Sequence, residues 1–338
     1  MFATRDIAAG ETVLVADDLY AHVLFREYRG EVCSACFTYR FGEKLPFKDT
    51  IHGLAFCSRK CTADYMGRCD EPSLLARAAV EKLIKSRRPR TPGVVLEKRP
   101  LVSEIQTAWD AAAEQAASIR NARIMQLMGP INNTHTKCLQ RALARPVSSD
   151  VINFLLSAFL TIWNAADCLG NLPHPWGQFL ELEQEPTPYL SASELADYTA
   201  SYLHLVAVLP KEMVPFVSSE MLHTIKTCET HNCFGIRSLD DEGSEVFGYG
   251  VWPSASYFNH SCNNNIRKRR SGRTWVFEAM RDITAGEQLC ISYIGGEDGN
   301  EEMGRRDKAT DFGKTWGFEH VCDKCRLEQQ LSEVQIRE

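Results

Sequence analysis

Cys33-x2-Cys36 and, after twenty intervening residues, Cys57-x3-Cys61 constrain this chain more than any other feature. Residues 31–70 are rich in cysteine and polar side chains and short on aliphatic periodicity, so they cannot close a hydrophobic core of their own. Four thiolates at these spacings complete a tetrahedral structural zinc site with no position open for chemistry. The amino terminus, Met-Phe-Ala-Thr-Arg-Asp, has no apolar stretch of signal-peptide kind. Without such a signal, paired short spacings read as metal sites rather than disulfides. Cys262, Cys322 and Cys325 form a second grouping, and the other six of the thirteen cysteines are scattered. Most of those read as small buried apolar residues.

The chain has 338 residues, 44% hydrophobic and 24% charged, enough for two or three compact units with a sizeable core. Its net charge of −6 argues against whole-molecule attraction to nucleic acid or to an acidic membrane. The longest apolar run, Val151 to Trp163, is interrupted by Asn153, Ser157 and Thr161 and is too short to span a bilayer. It predicts a buried helix. Residues 5–25 read as strands, with a turn over Arg5–Glu11 and a β run at Thr12–Val15. Helical patterns follow from Pro72: an Ala-rich helix over 103–128, then apolar periodicities over 137–169, 192–208 and 212–227. The segment 86–100, with three prolines and five basic residues, reads as a solvated connector. After Thr227 short β runs return at 247–252, 274–277 and 288–293, and a last helix is expected near 299–312. The basic run Arg267-Lys268-Arg269-Arg270 is expected to form a solvated hairpin tip. The class is α+β: a β core split in sequence, with a zinc module and a helical block between its halves.

Asn259-His260 alone would be read as a turn, and Tyr293 alone as a core tyrosine. Their order with Cys262 and the terminal cluster His320, Cys322, Cys325 changes that reading. Asn232-Cys233-Phe234-Gly235-Ile236, Gly248 to Phe258, Asn259-His260-Ser261-Cys262, Gly286 to Ile294 and Trp316 to Cys325 together resemble the core of SET-domain protein-lysine methyltransferases of the SET and MYND type. The resemblance covers 1–70 and 228–325 in sequence, and the helical block by position only. It implies a SET-type β core with a pseudoknot, split by a small zinc finger and a helical insertion and closed by a zinc-binding post-SET segment. The expected boundaries are 1–30 for the first part of the core, 31–70 for a partial MYND-like finger, 71–227 for the helical insertion, 228–298 for the catalytic core and 299–338 for the post-SET segment and tail. A full MYND finger holds two zincs. Here 38–56 has no cysteine, and only His52 and Cys69 remain for the second site, so one zinc is expected in the finger.

The resemblance further implies S-adenosylmethionine as cofactor and a protein lysine, histone or non-histone, as substrate. Methyl transfer from a sulfonium to an amine is an in-line displacement in which aim supplies much of the rate. Tyr293 would be the catalytic residue, beside the sulfonium. Phe234 and Trp316 would line the substrate channel, where aromatic walls suit a cationic ammonium. Asn232, Ser256, Phe258, Asn259 and His260 would contact the cofactor, with Phe318 near its adenine. The family's second zinc takes four cysteines; here His320 stands at one of those positions, which gives Cys262, His320, Cys322 and Cys325, two structural zincs in all. Family members also carry Gly-x-Gly directly before the sequence matching Phe2–Ile7. The sequence given starts inside that motif, and as written it is expected to bind cofactor poorly. The rival reading is a non-catalytic SET/MYND-like interaction scaffold; a zinc-finger DNA binder is disfavoured by the net charge. A monomer in nucleus and/or cytoplasm, with neither membrane association nor direct DNA binding, completes the expectation.

Overall fold

The computed structural model describes residues 1–40, 42–86, 98–166, 175–239 and 245–293. In chain order the elements are β1 (Thr12–Ala16), β2 (Ala21–Leu24), β3 (Phe47–Asp49), β4 (Leu54–Phe56), α1 (Arg59–Met66), α2 (Glu71–Lys85), α3 (Val102–Met128), α4 (Asn133–Ala144), α5 (Ser149–Ala166), α6 (Pro175–Leu180), α7 (Ala192–Val208), α8 (Ser219–Asn232), β5 (Cys233–Arg237), β6 (Val246–Val251), β7 (Asn259–His260), β8 (Ile266–Ser271), β9 (Thr274–Ala279) and β10 (Cys290–Ile291). They divide into two compact units. One takes Met1–Leu19, Arg237–Val246 and the chain from Trp252 onward; the other takes Tyr20–Ile236 and Phe247–Val251.

The larger unit holds the helices, the finger and the sheet β2-β6-β5. Helix α5 contains the long apolar run, and Ile152, Phe154, Leu155, Leu156, Ala158 and Phe159 are all without exposed surface. A helix apolar all round belongs at the centre of a core, and that is where the run sits. Helix α3 buries Ile105, Trp109, Ala112, Ala116, Ile119 and Ala122, a three-and-four spacing that keeps one stripe inward. Its Arg123 reaches the carbonyls of Val206 and Leu209 at 2.8 and 2.6 Å, satisfying the end of α7. Buried Lys226 on α8 meets Glu194 of α7 at 3.0 Å and Glu229 at 3.5 Å, and Tyr198 donates to Glu229 at 2.6 Å.

Two helical expectations need correction. The periodicity over 137–169 is two helices, because Pro146 forces Arg145 before it into extended backbone at ψ 134°. The last periodicity starts later, at Ser219, with Pro215 in a short 3-10 turn ahead of it and Ser218 capping the Met221 N–H at 3.0 Å.

In the smaller unit β1, β9 and β8 form an antiparallel sheet. The basic run is not a hairpin tip: it is strand β8 itself, paired to β9 from Ile266↔Ala279 to Ser271↔Thr274, and the tip is Gly272-Arg273 with Gly272 at φ +61°. Arg267 and Arg269 both reach Glu278 across the pair, at 3.0 and 3.1 Å. Arg270 is buried and donates to the carbonyls of Gly272 and Arg237. A strand of four basic residues is tolerated because each has an acceptor: Lys268 takes the fourth, Ser292 O, at 2.9 Å. The first residues of the chain lace onto the segment before β10, with Ala3 N to Glu287 O at 2.9 Å and Gly286 N to Ala3 O at 2.8 Å.

Among the described residues no single helix is long and apolar enough to cross a membrane. The connector at 87–97, the expected last helix, and Trp316, Phe318, His320, Cys322 and Cys325 lie outside the described residues.

Candidate functional site

Strand β7 is only two residues, and it runs parallel to β10 with Asn259 beside Cys290 and His260 beside Ile291. That pairing, between segments thirty residues apart in sequence, brings His260 to Tyr293. The Tyr293 N–H donates to His260 Nδ1 at 2.9 Å, and the two rings lie 5.3 Å apart. A backbone N–H can only donate, so Nδ1 accepts and the imidazole proton sits on Nε2. That Nε2 lies 3.3 Å from Cys262 Sγ. The Tyr293 hydroxyl donates to Phe258 O at 2.7 Å. Burial pushes this phenol up to about 12, with Cys290 adding to it, so at neutral pH it is a protonated donor.

The other expected residues of this unit take distinct positions. Asn259 is exposed, and its side-chain amide has no protein partner among the described residues. Phe258 is fully buried and stacked on Phe277 at 4.6 Å; its ring belongs to the core, so what it offers a ligand is backbone. Ser256 donates to Trp252 O at 3.2 Å, within a 3-10 turn. Asn232 and Phe234 belong to the larger unit. The Asn232 amide donates to Glu183 O and Cys228 O at 2.9 and 2.7 Å, tying off the end of α8, and Phe234 is half-buried on β5.

Asn265 escaped the sequence reading. It is buried; its amide nitrogen donates to Glu287 Oε1 at 3.1 Å and Gln288 O at 2.8 Å, and its amide oxygen accepts from Cys290 N at 2.9 Å. It therefore fixes the chain that leads through β10 to Tyr293. Its only sequence signal was the run Asn263-Asn264-Asn265, polar residues that precede a strand.

In the finger the Sγ atoms of Cys33, Cys36, Cys57 and Cys61 all lie within 4.8 Å of one another, and Cys57 is 3.6 Å from both Cys36 and Cys61. Four sulfurs about 2.3 Å from one zinc sit roughly 3.8 Å apart, so the cluster fits that ion. Ser58 starts α1 by capping Cys61 N at 3.1 Å, which sets the last ligand on the first turn. The thiol of Cys33 and the hydroxyl of Thr38 hold Cys36 down to about 4, and Cys33, the donor, is pushed up. His52 is turned to Asp49, Nδ1 to Oδ2 at 2.6 Å, and Cys69 packs at the edge of the finger's small core. Among the described residues the four cysteines are the one group of this kind.

A family profile described as SET domain matches residues 1–294. The "Potential protein lysine methyltransferase SET6" of Saccharomyces cerevisiae is 26% identical over 97% of this chain and 92% of its own length. A SET and MYND domain-containing protein of Dictyostelium discoideum is 34% identical over 28% of this chain and 22% of its own. The "Histone-lysine N-methyltransferase SMYD3" of Homo sapiens is 35% identical over 30% of this chain and 22% of its own. The chain thus spans most of the first relative and about a fifth of each of the other two.

Proposed function

The chain belongs to the SET-domain family of protein-lysine methyltransferases, of the SET and MYND type, and from that premise we propose that it methylates a lysine side chain of a protein substrate, with the node of Tyr293, His260 and Phe258 O as its catalytic centre. S-adenosylmethionine, when bound, supplies the methyl group as a sulfonium. The fit rests on what this chain offers: an exposed Asn259 amide with no protein partner among the described residues, on a strand whose backbone is already paired. Asn259 and His260 would hold the cofactor, with Asn232, Ser256 and Phe258 at other contact positions. The parallel β7–β10 pair keeps Asn259 and His260 fixed before any ligand arrives, so little ordering of these two is left to do on binding.

The observation that carries the reading is the Tyr293 hydroxyl held on Phe258 O at 2.7 Å while its backbone holds His260. A phenol anchored at both ends can aim an incoming amine, and orientation is where such a displacement gains rate. Phe234 and Trp316 would wall the lysine channel, and Phe318 would lie near the adenine. We further propose two structural zincs: one on Cys33, Cys36, Cys57 and Cys61, and one on Cys262, His320, Cys322 and Cys325. Support for the second is the sequence spacing and the His260 Nε2–Cys262 Sγ approach, a hydrogen bond suited to a ligating thiolate.

Calorimetry with S-adenosylmethionine, followed by turnover on a lysine peptide library, tests this. Tyr293→Phe should lower turnover roughly a hundredfold while cofactor affinity stays within a small factor. Undiminished turnover would remove Tyr293 from its role. Failure to bind cofactor both by this chain and by one extended upstream with Gly-x-Gly would favour the interaction-scaffold reading.

A further inference from the structure

We propose that the cleft where the finger meets α2 and α5 binds an oxyanion, with Arg77 as its anchor. The cleft, a cavity of about 50 Å³, is lined by Arg29, Arg77, His22, His52, Ser34 and Ser157 among others, and by no carboxylate among the described residues. Arg29 has Asp150 and Glu81 as partners outside the lining and His52 bonds Asp49, which leaves Arg77 as the guanidinium of the cleft without an ion-pair partner among the described residues. It lies within the larger unit and needs nothing from the methyl-transfer reading.

The two guanidiniums differ. Arg29 is satisfied: it donates to Leu24 O and Ser149 O at 3.1 and 3.2 Å and pairs with Asp150 at 3.1 Å. His52 is likewise engaged, by Asp49. Arg77 has none of this. Its Nε is buried with no hydrogen-bond partner, and among the described residues no carboxylate lies within ion-pair distance. Its recorded neighbour is the ring of Tyr65, 5.7 Å away. Glu81, one turn along α2, is the natural partner by spacing, but it turns elsewhere. Its carboxylate lies 3.5 Å from Lys85 and 3.9 Å from Arg29, and it presses so closely on Gly53 that a β-carbon there would come within 2.3 Å.

A guanidinium stays charged at every working pH, and burying its Nε–H without an acceptor costs more than a single hydrogen bond returns. A planar or compact anion would meet that donor with an acceptor and an opposite charge together, and the volume suits one carboxylate or one phosphate, which a guanidinium fork matches. The source is either a free small oxyanion or the acidic side chain of a bound peptide.

The test follows the arginine Nε–Hε resonances of the full-length, metal-loaded protein by NMR. It titrates inorganic phosphate, acetate and a short peptide with blocked ends and one aspartate. One resonance should shift saturably, and Arg77→Gln should erase it and weaken binding by about tenfold or more. Arg77→Lys, which keeps the charge but loses the fork, should fall between, and it serves also if the glutamine variant fails to fold. Tighter binding of the peptide assigns an acidic side chain as the ligand; equal or tighter binding of phosphate or acetate assigns a free anion. No saturation by any probe, or equal affinity in the Arg77 variants, would overturn the proposal.

Discussion

Asn265 makes three hydrogen bonds to one short stretch, two of them to backbone atoms of Gln288 and Cys290. Removing its side chain leaves a buried N–H and a buried carbonyl unpaired, and each such group costs about 1–3 kcal/mol. Asn265→Ala is therefore expected to destabilise the protein by roughly 2–4 kcal/mol, read by denaturant unfolding. A loss below the error of that measurement would mean that water replaces the side chain. Tyr293 makes a second prediction at this scale. With its phenol pushed up to about 12, it stays protonated across the assay range. A rate that rises with pH must then report deprotonation of the substrate amine, and the rise should persist at the same pH in Tyr293→Phe. A rise that vanishes in the variant would assign the titration to the phenol instead.

Helix α2 starts at a residue with two duties. Asp70 caps the Ser73 N–H at 2.9 Å and also accepts from Trp163 Nε1 of α5 at 2.9 Å. Burial alone would raise its carboxyl, but the bonds from Ser73 and Trp163 outweigh it and hold the group below its ordinary value. Because the folded pKa is depressed, the unfolded chain takes up the proton first. The stabilisation is present at neutral pH and is lost as pH falls through the folded value. Asp70→Ala should cost about 1–2 kcal/mol near neutrality, a gap that narrows below roughly pH 4; a gap constant from pH 7 to acid would refute the charge-based account. This cap, like Ser58 and Ser218, is of a type that sequence can show, as are the Ala-rich α3 and the apolar α5, whose patterns are local. The helical boundaries were misread at local prolines, Pro146 and Pro215, whereas strand β8 and Asn265 depend on partners remote in sequence. Strand β8 looks like a charged tip until Glu278 and the carbonyls of Arg237 and Ser292 are set beside it. Asn265 leaves no periodic trace, because a side chain bonded to a distant backbone has no spacing rule. Asn259, His260 and Tyr293 were read together from the resemblance to SET cores, and the β7–β10 pair sets His260 beside Tyr293.

On the scale of the whole chain, the helical block and the finger do not stand on equal energetic ground. The helical block has a continuous core from Tyr20 to Val251. The finger within the same unit buries only Cys33, Ala35, Leu45, Ala55, Phe56 and Tyr65 in its own cluster. A core of six residues, two of them alanine and one a metal ligand, supplies too little apolar burial to order the forty residues of 31–70. The four thiolates must therefore be bound to hold it, and metal affinity there is folding free energy. Stripping the metal with a chelator should unfold the finger while the helical signal in far-ultraviolet circular dichroism is largely kept, since the finger's own helix is the eight-residue α1. Metal analysis makes this quantitative. The proposed stoichiometry is two zincs per chain, falling to one in Cys57→Ser, whose Sγ stands 3.6 Å from two of its partners. A wild-type value of three would mean that His52 and Cys69 complete a second finger site despite the Asp49–His52 pair. An unchanged value in Cys57→Ser would mean that the cluster does not hold the ion, and the finger's order would then need another source.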